Sequence, residues 1–214
     1  IIVSPLAVLA RLTTIWKEAG FLSSRLFSFS RIAIGFIAAV LTGTFLSIIA
    51  HRLHAVKVLL APPMAAVKAV PVASFIIIAL VWLDSASLST FISFLIVLPT
   101  VYTNILSGLE AIPTGLAEMA KVFGVRGIRR LVYISLPCLK PYIMSSASVT
   151  VGLAFKSGIA AEVIGIPDGS IGERLYQAKI YLETPDLLAW TVIIVILSVI
   201  FEKLTIVLIR LGYK

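Results

Sequence analysis

The chain has 214 residues, of which 60% are hydrophobic and only 13% are charged. Ordinary soluble domains have roughly 45–50% apolar residues and about 25% charged ones. A water-soluble fold of this size could not bury so much apolar surface, whereas a bilayer solvates the outward faces of helices. The composition therefore excludes a soluble globular domain and predicts an all-α integral membrane protein.

The formal net charge of +8 comes from eighteen Lys and Arg residues against ten Asp and Glu residues. Such a balance raises the question of nucleic-acid binding. The basic residues, however, concentrate in short segments between apolar stretches, as the positive-inside rule expects, and they are not interleaved with aromatic residues. We expect these charges to set the membrane topology and not to bind nucleic acid.

The sequence predicts neither a metal site nor an enzyme active site. Cys138 is a single cysteine, and His51 and His54 have no nearby carboxylate or thiol that could complete a set of four ligands. No paired acids suggest acid–base catalysis, and there is no G-x-x-x-x-G-K-[ST] phosphate loop. We therefore expect no cofactor in this chain.

The first 28 residues differ from the remainder. Ser4-Pro5 is a plausible helix start, and apolar residues then recur every three or four positions among charged ones. This pattern predicts an extracytoplasmic or interfacial helix within residues 1–28. Residues 29–214 are predicted to form the transmembrane domain.

Five stretches meet the requirement of about 20 mostly apolar residues for a membrane-spanning helix. The second contains Pro62, Pro63 and Pro71, which predict a broken or kinked helix. Between the last two spans, turn-forming residues predict a loop with a short amphipathic helix over residues 171–181. The predicted spans are 32–50, 58–83, 85–109, 141–161 and 187–209.

The distribution of Lys and Arg orients these spans. Segments 51–57 and 110–140 are basic and are predicted to be cytoplasmic, whereas the turn near Asp84 and the loop 162–186 are predicted to be outside. Trp82 and Trp190 fall near outer helix ends, where we expect their amphipathic rings at the interface.

Small residues recur every four positions along one face of the first predicted span. This pattern lets helices approach closely, so it predicts a packing face. The residues are Gly35, Ala39, Gly43 and Ser47.

Residues 110–137 predict a short cytoplasmic helix followed by a basic segment. Apolar residues on either side of Lys121 give this helix an apolar surface, and Gly124 can end it in a left-handed conformation. Arg126, Arg129 and Arg130 then offer charges to a partner or to lipid headgroups.

The spacing in this segment resembles the signature loop of ABC-importer permeases, E-A-A, three residues, G, nine residues, I, one residue, L-P. The only departure is Met119, which replaces the middle alanine. Similarity to the nitrate, sulfonate and taurine branch extends over nearly the whole chain, including Lys68-Ala69-Val70-Pro71 and 161–165 with its following glycines. The matching loop positions are Glu118, Ala120, Gly124, Ile134, Leu136 and Pro137.

This resemblance implies a type I ABC-importer permease fold in a bacterial inner membrane, with about five spans here and one more expected before them. It implies a second permease copy, in a homodimer or pseudo-dimer, and an extracytoplasmic substrate-binding protein. ABC ATPase subunits, which would hold the ATP and Mg, are expected to dock on the loop. The loop residues that the resemblance assigns to this coupling are Glu118, Met119, Ala120, Gly124, Arg126, Ile134, Leu136 and Pro137.

Polar side chains within the spans are candidates for lining a pathway for a small polar solute, and the lysines among them suit an anionic one. The alternatives are that Ser, Thr and Asn hydrogen-bond between helices and that the ammonium groups of the two lysines extend to the membrane surfaces. Pairing of Lys156 with Glu162 is a further alternative. The candidates are Lys68, Thr100, Thr103, Asn104, Ser148 and Lys156.

Two other functions remain open from the residues alone. An ion-coupled secondary transporter should carry an acid in the middle of a span, and we expect Glu202 to lie near an interface instead. An integral membrane scaffold would have no reason for a loop with the importer spacing.

Overall fold

The computed structural model describes residues 4–17, 21–125 and 127–212, and every regular element in these ranges is helical. A 3₁₀ turn at Ile15–Lys17 follows the first helix, and a π-helical turn at Leu131–Ser135 precedes the eighth. The helices are α1 Pro5–Thr14, α2 Phe21–Arg52, α3 His54–Ala69, α4 Val72–Ala79, α5 Ser85–Glu110, α6 Thr114–Val122, α7 Gly127–Arg130, α8 Leu136–Gly165, α9 Ile171–Ile180 and α10 Thr184–Gly212.

Four of the described helices, α2, α5, α8 and α10, are each long and apolar enough to cross a membrane. Helices α3 and α4 pass this test only as a pair, across a bend of 102°. The all-α, multi-pass prediction is confirmed, with four single-helix spans and one bent pair where five spans were expected.

The small-residue face of α2 packs against α5, as predicted. Ala39 and Ser47 are fully buried, and the Ser47 hydroxyl donates to the Tyr102 carbonyl at 2.9 Å. A Cβ added at Gly35 would lie 3.0 Å from Ser93 Cβ and would overlap the backbone of α5. The two helices therefore pack backbone against backbone.

These contacts also show that α2 and α5 run in the same direction. Arg31 donates to the Ala86 carbonyl near the start of α5, whereas Ser47 meets Tyr102 farther along it. Two parallel spans in sequence require a return crossing between them. Because α3 and α4 are the only elements between α2 and α5, this pair makes that crossing.

The return crossing breaks at Pro71 and not at the other two prolines. Val70 is extended, with φ −78° and ψ 135°, because a residue that precedes proline is disfavoured in the helical region. Pro62 and Pro63 lie inside α3, which continues through them. The predicted break is therefore confirmed at one position only.

Helix α5 begins immediately after a tight turn. The Ser87 amide donates to the Asp84 carboxyl at 3.1 Å, so Asp84 is the N-cap of this helix. This hydrogen bonding lowers the pKa of the Asp84 carboxyl below its usual value.

The predicted interfacial helix corresponds to α1, but it is shorter than the segment assigned to it. Leu6, Leu9 and Trp16 are exposed, and Arg11 forms an ion pair with Asp186 at the start of α10. Residues 21–28 belong to α2, so the boundary expected between residues 28 and 29 falls inside a continuous helix.

The two tryptophans expected at the interface differ in exposure, and only Trp82 has its ring free to meet lipid or water. Trp82 is 80% exposed in the turn between α4 and α5. Trp190 is only 2% exposed, because its ring packs at 5.4 Å from that of Phe21 in the first turn of α2.

We predict that Gly35→Ala destabilises the bundle by about 1–3 kcal/mol, the usual cost of overpacking, because the added methyl group overlaps α5. Gly152→Ala is the matched control, since a Cβ there would meet nothing within 4 Å. The measurement is the thermal midpoint of the purified protein in detergent. Equal midpoints for the two variants would contradict the close approach of α2 and α5.

Candidate functional site

The predicted short helix is present as α6, and Gly124 ends it as expected. Gly124 has φ +66°, a left-handed conformation that favours glycine. The Val125 amide donates to the Ala120 carbonyl at 2.8 Å, and the Gly124 amide donates to that of Lys121 at 3.2 Å. These two bonds form a Schellman motif, so the end of α6 is fixed by its own sequence.

Helix α6 presents an apolar tip to its surroundings. Met119, Val122 and Phe123 are 47%, 81% and 76% exposed, and Glu118 beside them is also exposed. Ala120 faces the other way and is 1% exposed. Large apolar side chains grouped in this way, outside the spans, are typical of a surface that another protein covers.

The rest of the signature segment leads from α6 into α8. Ile134 lies in the π-helical turn, and α8 begins at Leu136 with Pro137 in its first turn, where proline is tolerated. Arg129 and Arg130 are exposed in α7, whereas Arg126 lies outside the described residues. The loop that holds α6 is therefore joined to a membrane-spanning helix by helical turns.

An ion pair joins α3 to the last residue of α5, immediately before this loop. Lys57 Nζ, near the start of α3, lies 2.5 Å from Glu110 Oε1, at the end of α5. The turn between α2 and α3 and the loop 111–135 thus lie at the same end of the bundle, which we call the α6 end. The opposite end, which carries the turn at 80–84 and the segment 166–183, is the α9 end.

Lys68 contacts another of the predicted pathway residues. Its Nζ donates to Thr103 Oγ1 at 3.0 Å, and Thr103 also donates to the backbone carbonyls of Pro99 and Thr100. Thr103 lies two turns before Glu110, about 10 Å along α5. The Lys68 ammonium group therefore contacts α5 about two turns from its end, and both interpretations of Lys68, as a pathway residue and as a residue that extends to the nearer surface, stay predictions.

The other candidates occupy different places in the chain. Asn104 and Ser145 line a cavity of about 220 Å³ between α5 and α8. Ser148 donates to Glu202 Oε1 of α10 at 2.6 Å, and Lys156 is exposed on α8. Within one chain, the six candidates do not converge on a single site.

Glu202, in the predicted span 187–209, accepts a hydrogen bond from Ser148 of α8. Ser148 lies about 18 Å along α8 from Leu136, and Glu202 lies about 15 Å along α10 from Gly212. The expectation that Glu202 lies near an interface stays a prediction.

Glu162 does not pair with Lys156, since the carboxyl is fully buried whereas Lys156 is exposed on another face of α8. Ser28 Oγ donates to Glu162 Oε2 at 2.6 Å, and the Gly172 amide donates to the same oxygen at 3.2 Å. The sequence singled out the segment around Glu162 but not its partner, because Ser28 lies 134 positions away.

Among the residues that the structure describes, no three His, Cys, Asp or Glu side chains form a group that could hold a metal ion.

Comparison with known proteins finds one family over most of the chain. The model of the family described as binding-protein-dependent transport system inner membrane component matches residues 31–211. The taurine transport system permease protein TauC of Escherichia coli (strain K12) is 25% identical over 204 residues, which cover 92% of this chain and 74% of TauC. The nitrate import permease protein NrtB of Synechococcus elongatus is 27% identical over 154 residues, which cover 72% and 55% of the two chains.

A solved structure shares the fold. The structure described as the crystal structure of an amino acid ABC transporter with histidines matches with a TM-score of 0.71. The match covers 98% of this chain and 99% of that one at 15% sequence identity, so it establishes the arrangement of helices alone.

We predict that Gly124→Ala loosens the end of α6 without a packing clash, because a Cβ there meets nothing within 4 Å but the left-handed backbone costs about 1–2 kcal/mol. Gly115→Ala is the control, since that position inside α6 is equally open and alanine favours a helix. The measurement is hydrogen exchange of residues 114–125, which should quicken in the first variant only. Equal exchange in both variants would contradict the capping role of Gly124.

Proposed function

Because the chain belongs to the family of binding-protein-dependent transport system inner membrane components, and is thus a permease subunit of an ABC importer, we propose that α6 is its coupling helix. In this proposal ABC ATPase subunits dock on α6 and bind the ATP and Mg. Their closure on nucleotide tilts the spans between inward-open and outward-open states. The permease itself carries out translocation and no chemical step.

The exposed apolar tip of α6 is the observation that carries this proposal. Met119, Val122 and Phe123 project from a short helix whose end is fixed by Gly124. Burying such side chains in a cleft of a partner supplies binding free energy in proportion to the apolar area removed from water. The exposed Glu118 beside the tip offers the partner a charge to pair with.

The connection between α6 and α8 supports a mechanical role. The path from Gly127 to Gly165 is helical throughout, first α7, then the π-helical turn, then α8. A helix resists bending, so a displacement of the loop is transmitted along α8 and not absorbed locally.

The distribution of charge supports a cytoplasmic location for the α6 end in a bacterial inner membrane. The loops that follow α2 and α5 at this end are rich in Lys and Arg, as cytoplasmic loops are, whereas the loop 166–183 at the α9 end has two basic residues against three acidic ones. Arg11, Arg25 and Arg31, in α1 and the first turns of α2, also lie at the α9 end. The α9 end would then face the extracytoplasmic substrate-binding protein. Basic residues at the α6 end include Arg52, Lys57, Lys121, Arg129, Arg130 and Lys140.

Lys68 is the residue that we propose for the translocation pathway. An ammonium group at the depth of Thr103 would be costly in contact with lipid, so it should face water or a second permease copy. It also lies next to the break at Pro71, and broken helices are typical of solute sites in transporters. A positive charge there suits an anionic solute, and the relatives TauC and NrtB are named for taurine and nitrate transport.

We predict that Glu118→Lys leaves the protein in the membrane but reduces the ATPase recovered with it at least ten-fold, roughly 1.4 kcal/mol or more of binding free energy. Lys179→Glu, a charge reversal on α9 at the opposite end, is the control and should retain the ATPase. The measurement is co-purification from detergent extracts. Equal recovery with both variants would count heavily against docking on α6.

We further predict that Lys68→Met lowers uptake of an anionic probe about ten-fold, whereas Lys68→Arg, which preserves the charge, retains most of it. Uptake of nitrate, taurine and an aliphatic sulfonate into proteoliposomes is measured together with ATP hydrolysis. Basal hydrolysis should persist in both variants, because Lys68 is remote from α6. If every probe that the wild type transports is taken up normally by Lys68→Met, the residue does not line the pathway.

A further inference from the structure

A buried joint connects α9 to the spans at the α9 end of the bundle. Glu162, in the last turn of α8, accepts hydrogen bonds from Ser28 of α2 and from the Gly172 amide of α9. The same Ser28 hydroxyl accepts the Ile171 amide at 2.9 Å. The Ser28 hydroxyl and the Glu162 carboxyl thus accept hydrogen bonds from the first two backbone amides of α9.

The amino-terminal end of α9 is oriented by this contact. Ser170 caps the helix by accepting the Glu173 amide at 2.9 Å, which leaves the amides of Ile171 and Gly172 for the joint. The positive end of the helix dipole therefore lies against the Glu162 carboxyl. A Cβ at Gly172 would overlap the backbone of Glu162 and would separate the two helices.

Filling this space with a carboxyl group costs stability. Glu162 is 0% exposed, and besides its bonds to Ser28 and Gly172 it has the Ser89 hydroxyl of α5 beside it. Burial of a carboxyl group is unfavourable even with hydrogen-bond partners, and an apolar side chain of similar size would pack α8 against α9 without that cost.

Helix α8 connects the joint with the loop 111–135, which contains the proposed coupling helix α6 and is called the coupling loop below. Its 30 residues extend from Leu136 to Gly165, about 45 Å, and it ends immediately after Glu162 at a left-handed Ile166 with φ 47°. The loop that contains α6 therefore joins one end of α8, and α9 is hydrogen-bonded to the other.

We propose that Glu162 is a positioning residue that clamps α9 to α8, so that α9 moves with α8 when the coupling loop is displaced. The inference rests on the proposed function of α6. It adds a path by which the nucleotide state at one face of the membrane sets the position of a helix at the other. At its far end α9 leads into exposed Ile180, Tyr181 and Leu182, the surface whose position the joint controls.

The test measures the movement of α9 directly. Spin labels are placed at Lys179→Cys on α9 and at Val81→Cys in the turn between α4 and α5, in a background where Cys138 is replaced by serine. Only one permease copy in the reconstituted complex carries the labels. Double electron–electron resonance then gives their distance without nucleotide and after trapping with MgATP and orthovanadate.

We expect the wild-type distance to shift on trapping and the shift to be lost in Glu162→Leu and in Gly172→Ala, which disrupt the joint from opposite sides. Glu162→Gln should retain the wild-type shift in distance, because the amide oxygen of glutamine can accept the same hydrogen bonds. Glu183→Leu removes an exposed acid at the same end and should behave as wild type. Ser28→Ala, a milder change, should reduce the shift if either disrupting variant fails to fold.

Two results would contradict the clamping role of Glu162. One is that the disrupting variants retain the ATPase and show the full change in distance, and the other is that the wild type traps vanadate while α9 stays in place. A role in stability alone would lower the yield of Glu162→Leu but leave the shift intact in the folded protein. Failure of the proposed function would give a different result. If the wild type never retains ATPase subunits, the coupling role of α6 is contradicted, and this inference, which rests on it, is contradicted as well.

Discussion

Helices α2 and α5 approach so closely that glycine, alanine and serine are required along their contact. Gly35 lies against the backbone of α5, and Ser47 donates to a carbonyl of the same helix. In lipid, where apolar side chains gain little by meeting one another, such backbone contact is a main source of helix association. The two helices run parallel, so the chain between them must cross back, and the other spans pack around this pair.

Polar side chains mark the places where this bundle departs from simple apolar packing. Lys68 meets Thr103 between α3 and α5, Glu202 meets Ser148 between α10 and α8, and Glu162 lies in the joint with α9. Charged groups within a membrane are costly and persist where they have partners or a function. Each of these three groups has a hydrogen-bond partner on another helix.

The loop 111–135, α8 and α9 form one connected path through the molecule. The cap of α6 is complete within residues 120–125, so the shape of its end does not depend on other elements. Helix α8 then extends the connection over its 30 residues to the buried carboxyl of Glu162. In the proposed function such a connection is required, because nucleotide would be bound on one side of the membrane and solute delivered on the other.

The sequence by itself determined the features that depend on neighbours within a few positions. It predicted the apolar spans, the packing face at Gly35 and Gly43, the break at Pro71 and the cap at Gly124, because helix periodicity and left-handed backbone are local properties. The tertiary structure alone decided that Trp190 is buried, that Lys68 donates to Thr103, and that Ser28 meets Glu162. These outcomes depend on which helix faces which, and that is set by packing between residues far apart in the chain.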